Sequence, residues 1–363
     1  MRGHVHPPCV LTASPDMGLS EVMTNRVTAG TVSQRRWAPR KDLTGGVADR
    51  HDDTYEDWLR GHHAQFGTPF EVIDDLVRRA TGSGVARSER IARGESNEVH
   101  AVTSSNGDEV IVRINHNDGA AACRRAEAVI GRARVSGIPV PDSLLIEEME
   151  VDGRERGVCV QRRLKGTPLA DSVKGIASDD VRSLVADAGE LVARLHSLPA
   201  QHEPRSAWWQ EVPDFAIERA RAALGAGASL VDDALEALAA IVASHAPDEP
   251  TTVHSDFGPE LLLVDGERIT GIIDWDQATV SSPMADLANW DSYYDWEPHP
   301  TSALIAGYER VRSLPDGHLA IRTASALNTT IWGLEYYHRV NNPGAARWTG
   351  ERLAHFIARA GAL

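Results

Sequence analysis

Apolar positions recur with two different spacings along the chain, and the change of spacing divides it into parts. Between Phe70 and Gly82 they repeat at helical intervals, which predicts an amphipathic helix that ends near the glycine. From residue 88 to residue 163, short β-prone runs take over. The predicted elements there are strands over 98–102 and 110–114, a helix over 121–134 and a strand over 157–161. This order predicts a small mixed lobe.

The second half of the chain is predicted to be mainly helical, with a single β-prone segment inside it. The predicted helices begin at Ser178, Phe215, Leu230, Leu304, His318 and Ala345. We therefore assign an α+β fold with two lobes, in which residues 61–163 form a small β-rich lobe and residues 164–363 form a larger helical one. Residues 1–60 are rich in Thr, Ser, Gly, Pro and Arg and lack periodicity, so they are predicted to be a flexible extension.

The net charge of −15 is concentrated in the helical half. From Asp171 to the C-terminus there are 28 Asp and Glu residues against 14 Lys and Arg. This excess disfavours a nucleic-acid partner, because phosphate backbones attract the opposite sign. It favours a cationic ligand, although an acidic surface also serves solubility alone. The aromatic and acidic residues 290–297 either pack on the core or line a pocket for a polyhydroxylated cation.

Cysteine usage and hydropathy bear on location. The chain has three cysteines, Cys9, Cys123 and Cys159, whose number and spacing fit neither a disulfide framework nor a zinc site. A reducing compartment fits them best. The apolar runs are far too short to span a bilayer. We therefore expect a cytoplasmic protein without a membrane partner.

The β-prone segment of the second half carries the candidate chemistry. Asp265-Gly266 separates two β-prone runs and predicts a hairpin with a type I′ turn, which needs positive φ at both central positions. Asp256 lies nine residues before Asp265, and Asp274 lies eight residues after Gly266. Pairing outward from the turn thus brings both carboxylates to the open end of the hairpin. Two acids repel each other there unless a cation lies between them, and a phosphate-bound Mg²⁺ ion would supply that charge.

Short motifs around this hairpin resemble those of one enzyme family. His254-Ser255-Asp256 resembles the H-x-D catalytic loop of aminoglycoside and related antibiotic phosphotransferases, and Ile273-Asp274-Trp275 resembles their metal-binding segment. Residues 283–288 are similar to the stretch that follows, in which Asp286 would brace the catalytic loop. The resemblance covers about residues 85–360. It implies a protein-kinase-like fold and transfer of the γ-phosphoryl group of ATP or GTP to a hydroxyl.

The resemblance also implies roles for individual residues. Asp256 would accept or orient the proton of the substrate hydroxyl, and Asp274 would hold a Mg²⁺ ion between the β- and γ-phosphates. Arg113 stands where these kinases place a basic strand residue that contacts the phosphates. Glu127 on the next helix is its expected ion-pair partner.

Further nucleotide contacts are expected from the small lobe. Ser96 and Asn97 fall in the loop that would cover the phosphates, where Gly94 is the one glycine. Backbone groups from Gln161 to Arg163 are expected to meet the edge of the adenine or guanine base. The implied cofactors are ATP or GTP with Mg²⁺, and the implied partner is a small, cationic, polyhydroxylated molecule such as an aminoglycoside.

One position departs from the family pattern. The family has an Asn as second magnesium ligand five residues after the catalytic Asp, and this chain has Leu261 there. A leucine side chain cannot coordinate a cation, so Glu260 or water would have to fill the position. A nucleotide- or ligand-binding pseudokinase is therefore the alternative function.

A different enzyme class shares part of the motif. His254-x-Asp256 also begins the two-histidine, one-carboxylate triad of non-haem iron oxygenases. That triad needs a distal histidine on a β-sandwich, whereas His318, His338 and His355 lie in predicted helices. The sequence favours phosphotransfer and does not identify the acceptor.

Overall fold

A five-stranded antiparallel sheet and three helices form the N-terminal lobe. The structure is a computed structural model that describes residues 53–116, 119–151, 153–172, 177–200, 211–246, 248–293 and 300–363. The elements of this N-lobe are α1 (Asp53–His63), α2 (Phe70–Thr81), β1 (Val85–Ile91), β2 (Asn97–Ser104), β3 (Glu109–Asn115), α3 (Ala120–Val135), β4 (Ser143–Val151) and β5 (Arg154–Arg162). The strand order is β1-β2-β3-β5-β4.

The apolar pattern of the N-lobe produces a core on one face of this sheet. Ile73, Leu76 and Val77 form the buried side of α2, and they pack on β-branched residues of β2, β3 and β5. Gly82 ends α2 in the left-handed region at φ 77°, where its N–H donates to Arg78 O. The predicted helix over 70–82 and the predicted strands over 98–102, 110–114 and 157–161 are confirmed.

Two strands and one helix of the N-lobe were not predicted. Strands β1 and β4 lie at the two edges of the sheet, where backbone pairing suffices without a regular apolar alternation. Residues 53–60, assigned to the flexible extension, are instead part of helix α1, and Tyr55 in it is only 3% exposed. The extension therefore does not reach residue 60, and residues 1–52, with Cys9, lie outside the described residues.

The C-terminal lobe is mainly helical, as predicted. Its elements are β6 (Thr167–Pro168), α4 (Leu169–Ser172), α5 (Ser178–His196), α6 (Asp214–Leu224), α7 (Ser229–Ser244), β7 (Thr251–Val253), β8 (Leu262–Asp265), β9 (Arg268–Ile272), β10 (Thr279–Ser281), α8 (Met284–Tyr293), α9 (Thr301–Tyr308), α10 (His318–Arg339) and α11 (Pro343–Ala360). Trp275, Trp290 and Phe356 lie fully buried among its apolar helix faces. The part of residues 290–297 that is described thus packs on the core of this C-lobe, and residues 294–299 lie outside the described part.

Two glycines allow α5 and α9 to cross in direct backbone contact. A Cβ atom on Gly189 would lie 2.0 Å from Leu304 O, and one on Gly307 would lie 1.7 Å from Ala186 O. Any side chain at either position would push the two helices apart. The close crossing places His196, at the end of α5, beside Tyr308, at the end of α9.

The predicted hairpin is present, but its turn is shifted by one residue. Asp265 pairs with Arg268, so the turn residues are Gly266 and Glu267. Gly266 has a positive φ of 60° and Glu267 does not, so the expected type I′ turn over Asp265-Gly266 was wrong. A register shift between Leu263 and Val264 accompanies the change.

The described part of the chain lacks a helix that is both long and apolar enough to cross a bilayer. Cys123 and Cys159 are buried free thiols, and burial raises the pKa of Cys123 to about 12 and that of Cys159 to about 11.

Candidate active site

A cavity of about 1360 Å³ lies between the two lobes, and residues predicted to be catalytic or metal-binding line it. Asp256 and Asp274 both line it, together with Glu260 and Leu261. The backbone explains this arrangement, because Ile273 N donates to Leu261 O at 3.0 Å and extends the β8–β9 pairing toward the cavity. The hairpin therefore directs both carboxylates into one cleft, as its pairing pattern predicted.

The segment before β8, which carries Asp256, has an unusual backbone conformation at Ser255. Ser255 has φ 67°, in the left-handed region that side chains other than glycine rarely adopt. Asp286 fixes this conformation, since its carboxylate accepts from the N–H of His254 at 2.9 Å and from the N–H of Ser255 at 2.6 Å. Asp256 itself is exposed to the cavity. Such strain persists only where the surroundings enforce it, which is typical of functional loops.

Asp286 is a buried brace, in agreement with the role that the sequence implied. It is 0% exposed, and its carboxylate also accepts from His196 Nε2 at 2.9 Å. Burial alone would raise the pKa of Asp286, yet the bond from His196 and the backbone donors outweigh it and hold that pKa below its ordinary value. The brace thus joins the end of α5, the start of α8 and the segment carrying Asp256.

His254 is buried and donates from Nε2 to Ile273 O at 3.1 Å. Burial lowers the pKa of His254, because the charged form would lose its hydration. We expect ¹⁵N NMR to give a titration midpoint for His254 below the ordinary value of about 6.5, with the proton of the neutral ring on Nε2. The resonance is assigned by its loss in His254→Gln. A midpoint at or above the ordinary value of about 6.5 would contradict this.

A network of polar groups joins the lobes beside Asp274. Arg113 on β3 donates to Asp274 at 2.5 Å and to Asp276 at 2.9 Å, and Asn97 donates to Asp276 at 2.9 Å. Asp274 has φ 63°, so it too lies in the left-handed region. Burial disfavours the charged guanidinium, but the two carboxylates outweigh it and raise the pKa of Arg113 above its ordinary value.

The expected ion pair between Arg113 and Glu127 is not what the structure shows. Arg113 points toward the cavity and pairs with the two C-lobe acids. Glu127 instead accepts from Ser143 Oγ at 2.5 Å and lies 3.7 Å from Arg134. Its place on α3 directs it toward the start of β4 and away from the cavity.

Other predicted nucleotide-binding residues lie along the N-lobe wall. Ser96, Asn97, Gln161 and Arg163 all line the cavity. The N–H of Arg163 already donates to Glu109 O at 3.0 Å, and the N–H of residue 162 donates to Asp142 O. An adenine or guanine base at this position would therefore have to bond to groups of the segment other than these two N–H groups.

Several residues of the site were missed by the sequence reasoning. Asp276 lies only two residues after Asp274, and that spacing was its one available signal. Trp332 and Tyr336 of α10 and Tyr55 of α1 also line the cavity. These three are distant in sequence from the motifs, so no local pattern associates them with the site.

The charges on the two walls of the cavity are segregated. The N-lobe wall has six arginines and three glutamates, namely Arg60, Arg90, Arg93, Arg113, Arg162, Arg163, Glu56, Glu89 and Glu95. The C-lobe wall has four acids, Asp171, Asp256, Glu260 and Asp274, and among the described residues it has no Lys or Arg. The cavity thus offers a surface for an anion opposite a surface for a cation.

The acidic wall fits a magnesium ion by its chemistry. Carboxylate oxygens are the ligands that Mg²⁺ prefers, and Asp274 and Glu260 supply them in the cavity. Within the described ranges, His, Cys, Asp and Glu do not form a group of three that would hold a metal alone. Mg²⁺ sites commonly use one or two carboxylates and complete the shell with phosphate and water.

The iron-triad alternative fails on geometry. The Nε2 atom of His254 is bonded to a backbone carbonyl, and His318, His338 and His355 lie in helices, as predicted. With no three-residue ligand group in the described part of the chain, a facial triad is absent there.

Comparison with known proteins shows the family to which the chain belongs. The phosphotransferase enzyme family matches residues 88–322, well over half of the chain, and the chain belongs to that family. Hygromycin-B 4-O-kinase of Escherichia coli is 24% identical over 185 residues, which cover 45% of this chain and 49% of that protein. Homoserine kinase of Beijerinckia indica is 29% identical over 168 residues, covering 42% and 51%. The chain thus spans about half the length of each relative.

The fold is also that of known aminoglycoside kinases. A thermostable mutant of aminoglycoside phosphotransferase APH(4)-Ia, solved with AMP-PNP and hygromycin B, matches with a TM-score of 0.64 at 20% identity. The match covers 80% of this chain and 99% of that chain. The two-lobed, kinase-like fold predicted from the sequence is therefore confirmed.

Proposed function

We propose that the protein transfers the γ-phosphoryl group of ATP or GTP to a hydroxyl of a small cationic molecule. This proposal rests on one observation: Asp256 and Asp274 line the same cleft and face an arginine-rich wall. The arginines suit a triphosphate, and the acids suit an acceptor that carries amino groups. Membership of the phosphotransferase family supports the same reaction class.

Each wall would have its own part in the reaction. The nucleotide would lie along the N-lobe, with Arg113, Ser96 and Asn97 near its phosphates. Asp256 would accept or orient the proton of the acceptor hydroxyl for in-line attack. Asp274, with Glu260, would hold Mg²⁺, whose charge neutralises the phosphate oxygens when it is bound.

An aminoglycoside is the proposed acceptor class. The similarity to hygromycin-B 4-O-kinase and to a kinase solved with hygromycin B supports it, as does the acidic wall. Trp332 and Tyr336, which line the cavity, would pack against sugar rings. Since the similarity covers only part of each relative, smaller amines with hydroxyl groups belong in the same test.

A nucleotide-consumption screen tests the proposal. ATP and GTP would be offered with Mg²⁺ and hygromycin B, other aminoglycosides, homoserine, choline-like amines or neutral sugars. We expect acceptor-dependent turnover with cationic acceptors and its loss in Asp256→Ala. Turnover that survives in this variant would remove Asp256 from the mechanism, and consumption with neutral sugars alone would contradict the cationic acceptor.

The alternative of a pseudokinase is tested at Leu261, which lines the cavity beside Glu260. Hygromycin-B 4-O-kinase and homoserine kinase, to which the chain is similar, are kinases and give it no support. We expect Leu261→Asn to lower the Mg²⁺ concentration for half-maximal activity, because an amide oxygen adds a ligand. The matched control is Leu261→Ala, which removes the same side chain without adding a ligand. An equal Mg²⁺ dependence in both variants would contradict the assignment of this position.

A further inference from the structure

Helix α1 lies outside the family match and contacts both lobes. On the C-lobe side, Trp58 Nε1 donates to Val340 O, just after α10, at 3.0 Å. Tyr55 belongs to the large C-lobe core, and Leu59 packs against it. These contacts fix the helix to the C-lobe through both burial and a hydrogen bond.

The same helix makes three hydrogen bonds to the loop between β1 and β2. The hydroxyl of Tyr55 donates to Glu95 Oε1 at 2.7 Å. The Nε2 atoms of His62 and His63 donate to Glu95 O at 2.8 Å and to Gly94 O at 3.0 Å. These three bonds reach the loop itself, and a further bond runs from Arg90 of β1 to His63 O at 2.9 Å.

This loop continues directly into the predicted phosphate-covering residues. Ser96 and Asn97 follow Glu95 and line the cavity, and Gly94 has a positive φ of 79°. No carbon added at Gly94 would contact another atom, so neighbouring side chains do not pack the loop at that point. Hydrogen bonds hold the loop instead, since His62 and His63 of α1 donate to two of its carbonyl groups. Arg93 in the loop also pairs with Asp171 of α4.

We propose that α1 is a positioning element that anchors the Gly94–Asn97 loop to the C-lobe and so preorganises the nucleotide site. This role rests on the proposed function, because it assumes that the cavity binds a nucleoside triphosphate. A loop already held in place loses less conformational freedom when a ligand binds, which raises affinity without adding a contact to the ligand. Tyr55 acts here through Glu95 and is a positioning residue.

The test measures the Kd of AMP-PNP with Mg²⁺ by calorimetry on the full chain. Tyr55→Phe keeps the buried ring and removes the bond to Glu95. We expect its Kd to rise about 3- to 10-fold. Glu95→Ala should weaken binding similarly, and Glu95→Gln should restore it, because the amide oxygen still accepts from Tyr55. Combining Tyr55→Phe with Glu95→Ala should add little to either change.

A control separates positioning from stability. Ile73→Val trims the buried face of α2, on the sheet face opposite the cavity, and should lower the Tm without changing Kd. His62→Ala removes a second bond to the same loop and should raise Kd independently of Tyr55. An unchanged Kd in Tyr55→Phe and in His62→Ala, while the unaltered chain binds, would overturn the role of α1. Failure of the unaltered chain to bind nucleotide would overturn the proposed function and this role with it.

Discussion

Replacing Asp256 with Asn is expected to lower kcat by about 10²- to 10⁴-fold while the Kd for nucleotide stays close to that of the unaltered chain. Asn has nearly the same shape but cannot accept the hydroxyl proton. The side chain of Asp256 is exposed in the cavity, whereas Asp286 fixes the backbone beside it. The substitution should therefore leave the fold intact and act on the chemical step.

The measurement compares kcat at saturating nucleotide and acceptor with the Kd of AMP-PNP by calorimetry. Asp265→Asn is the matched control, because it makes the same chemical change outside the cavity. Asp265 is exposed and lies beside the hairpin turn. Retention of kcat within about threefold in Asp256→Asn would show that another group handles the proton.

Asp286→Ala is expected to lower the free energy of unfolding by about 3 kcal/mol or more, because it leaves three buried donors without an acceptor. Those donors are the N–H groups of His254 and Ser255 and the Nε2–H of His196. Turnover should also fall, because the segment carrying Asp256 would lose its brace. Urea unfolding gives the change in free energy, and a loss below about 1 kcal/mol would contradict the role of the brace.

Acid titration provides a second check on this residue. The pKa of Asp286 is lowered in the folded state, so its carboxylate stabilises the fold above the unfolded-state pKa, and this contribution is lost as the pH falls toward the folded-state pKa. The acid limb of the stability curve should therefore be shallower in Asp286→Ala. The control is Asp233→Ala, at an exposed position on α7, which should change stability by less than about 0.5 kcal/mol.

Most of the helices and the central strands of the fold were predictable because each of them buries a periodic face. The helix over Phe70–Thr81 and the long helix α10 follow directly from the spacing of their apolar residues. Edge strands β1 and β4 were not predictable in this way, since their stability comes from backbone pairing with β2 and β5. Helix α1 was missed because its partners are distant in the sequence: Tyr55 is buried in the core of the C-lobe, and Trp58 donates to Val340 O.

The site was predictable where one local turn organises it. The hairpin brought Asp256 and Asp274 into one cleft even though its turn is one residue later than expected. The partner of Arg113 was not predictable, because Asp276 and Glu127 are both acids and the sequence does not say which of them lies beside the strand. Only the folded structure brings Asp276 to Arg113 and turns Glu127 toward Ser143.

The position of α2 under the sheet has a practical consequence for work with shortened versions of this protein. A fragment cut at the ends of the family match would begin at residue 88 and lack α1, α2 and the first residues of β1. The sheet would then expose Val110, Val112 and Val160 to water, and such a surface promotes aggregation. Truncation for crystallisation or display is therefore better begun ahead of residue 53 than at the border of detectable homology.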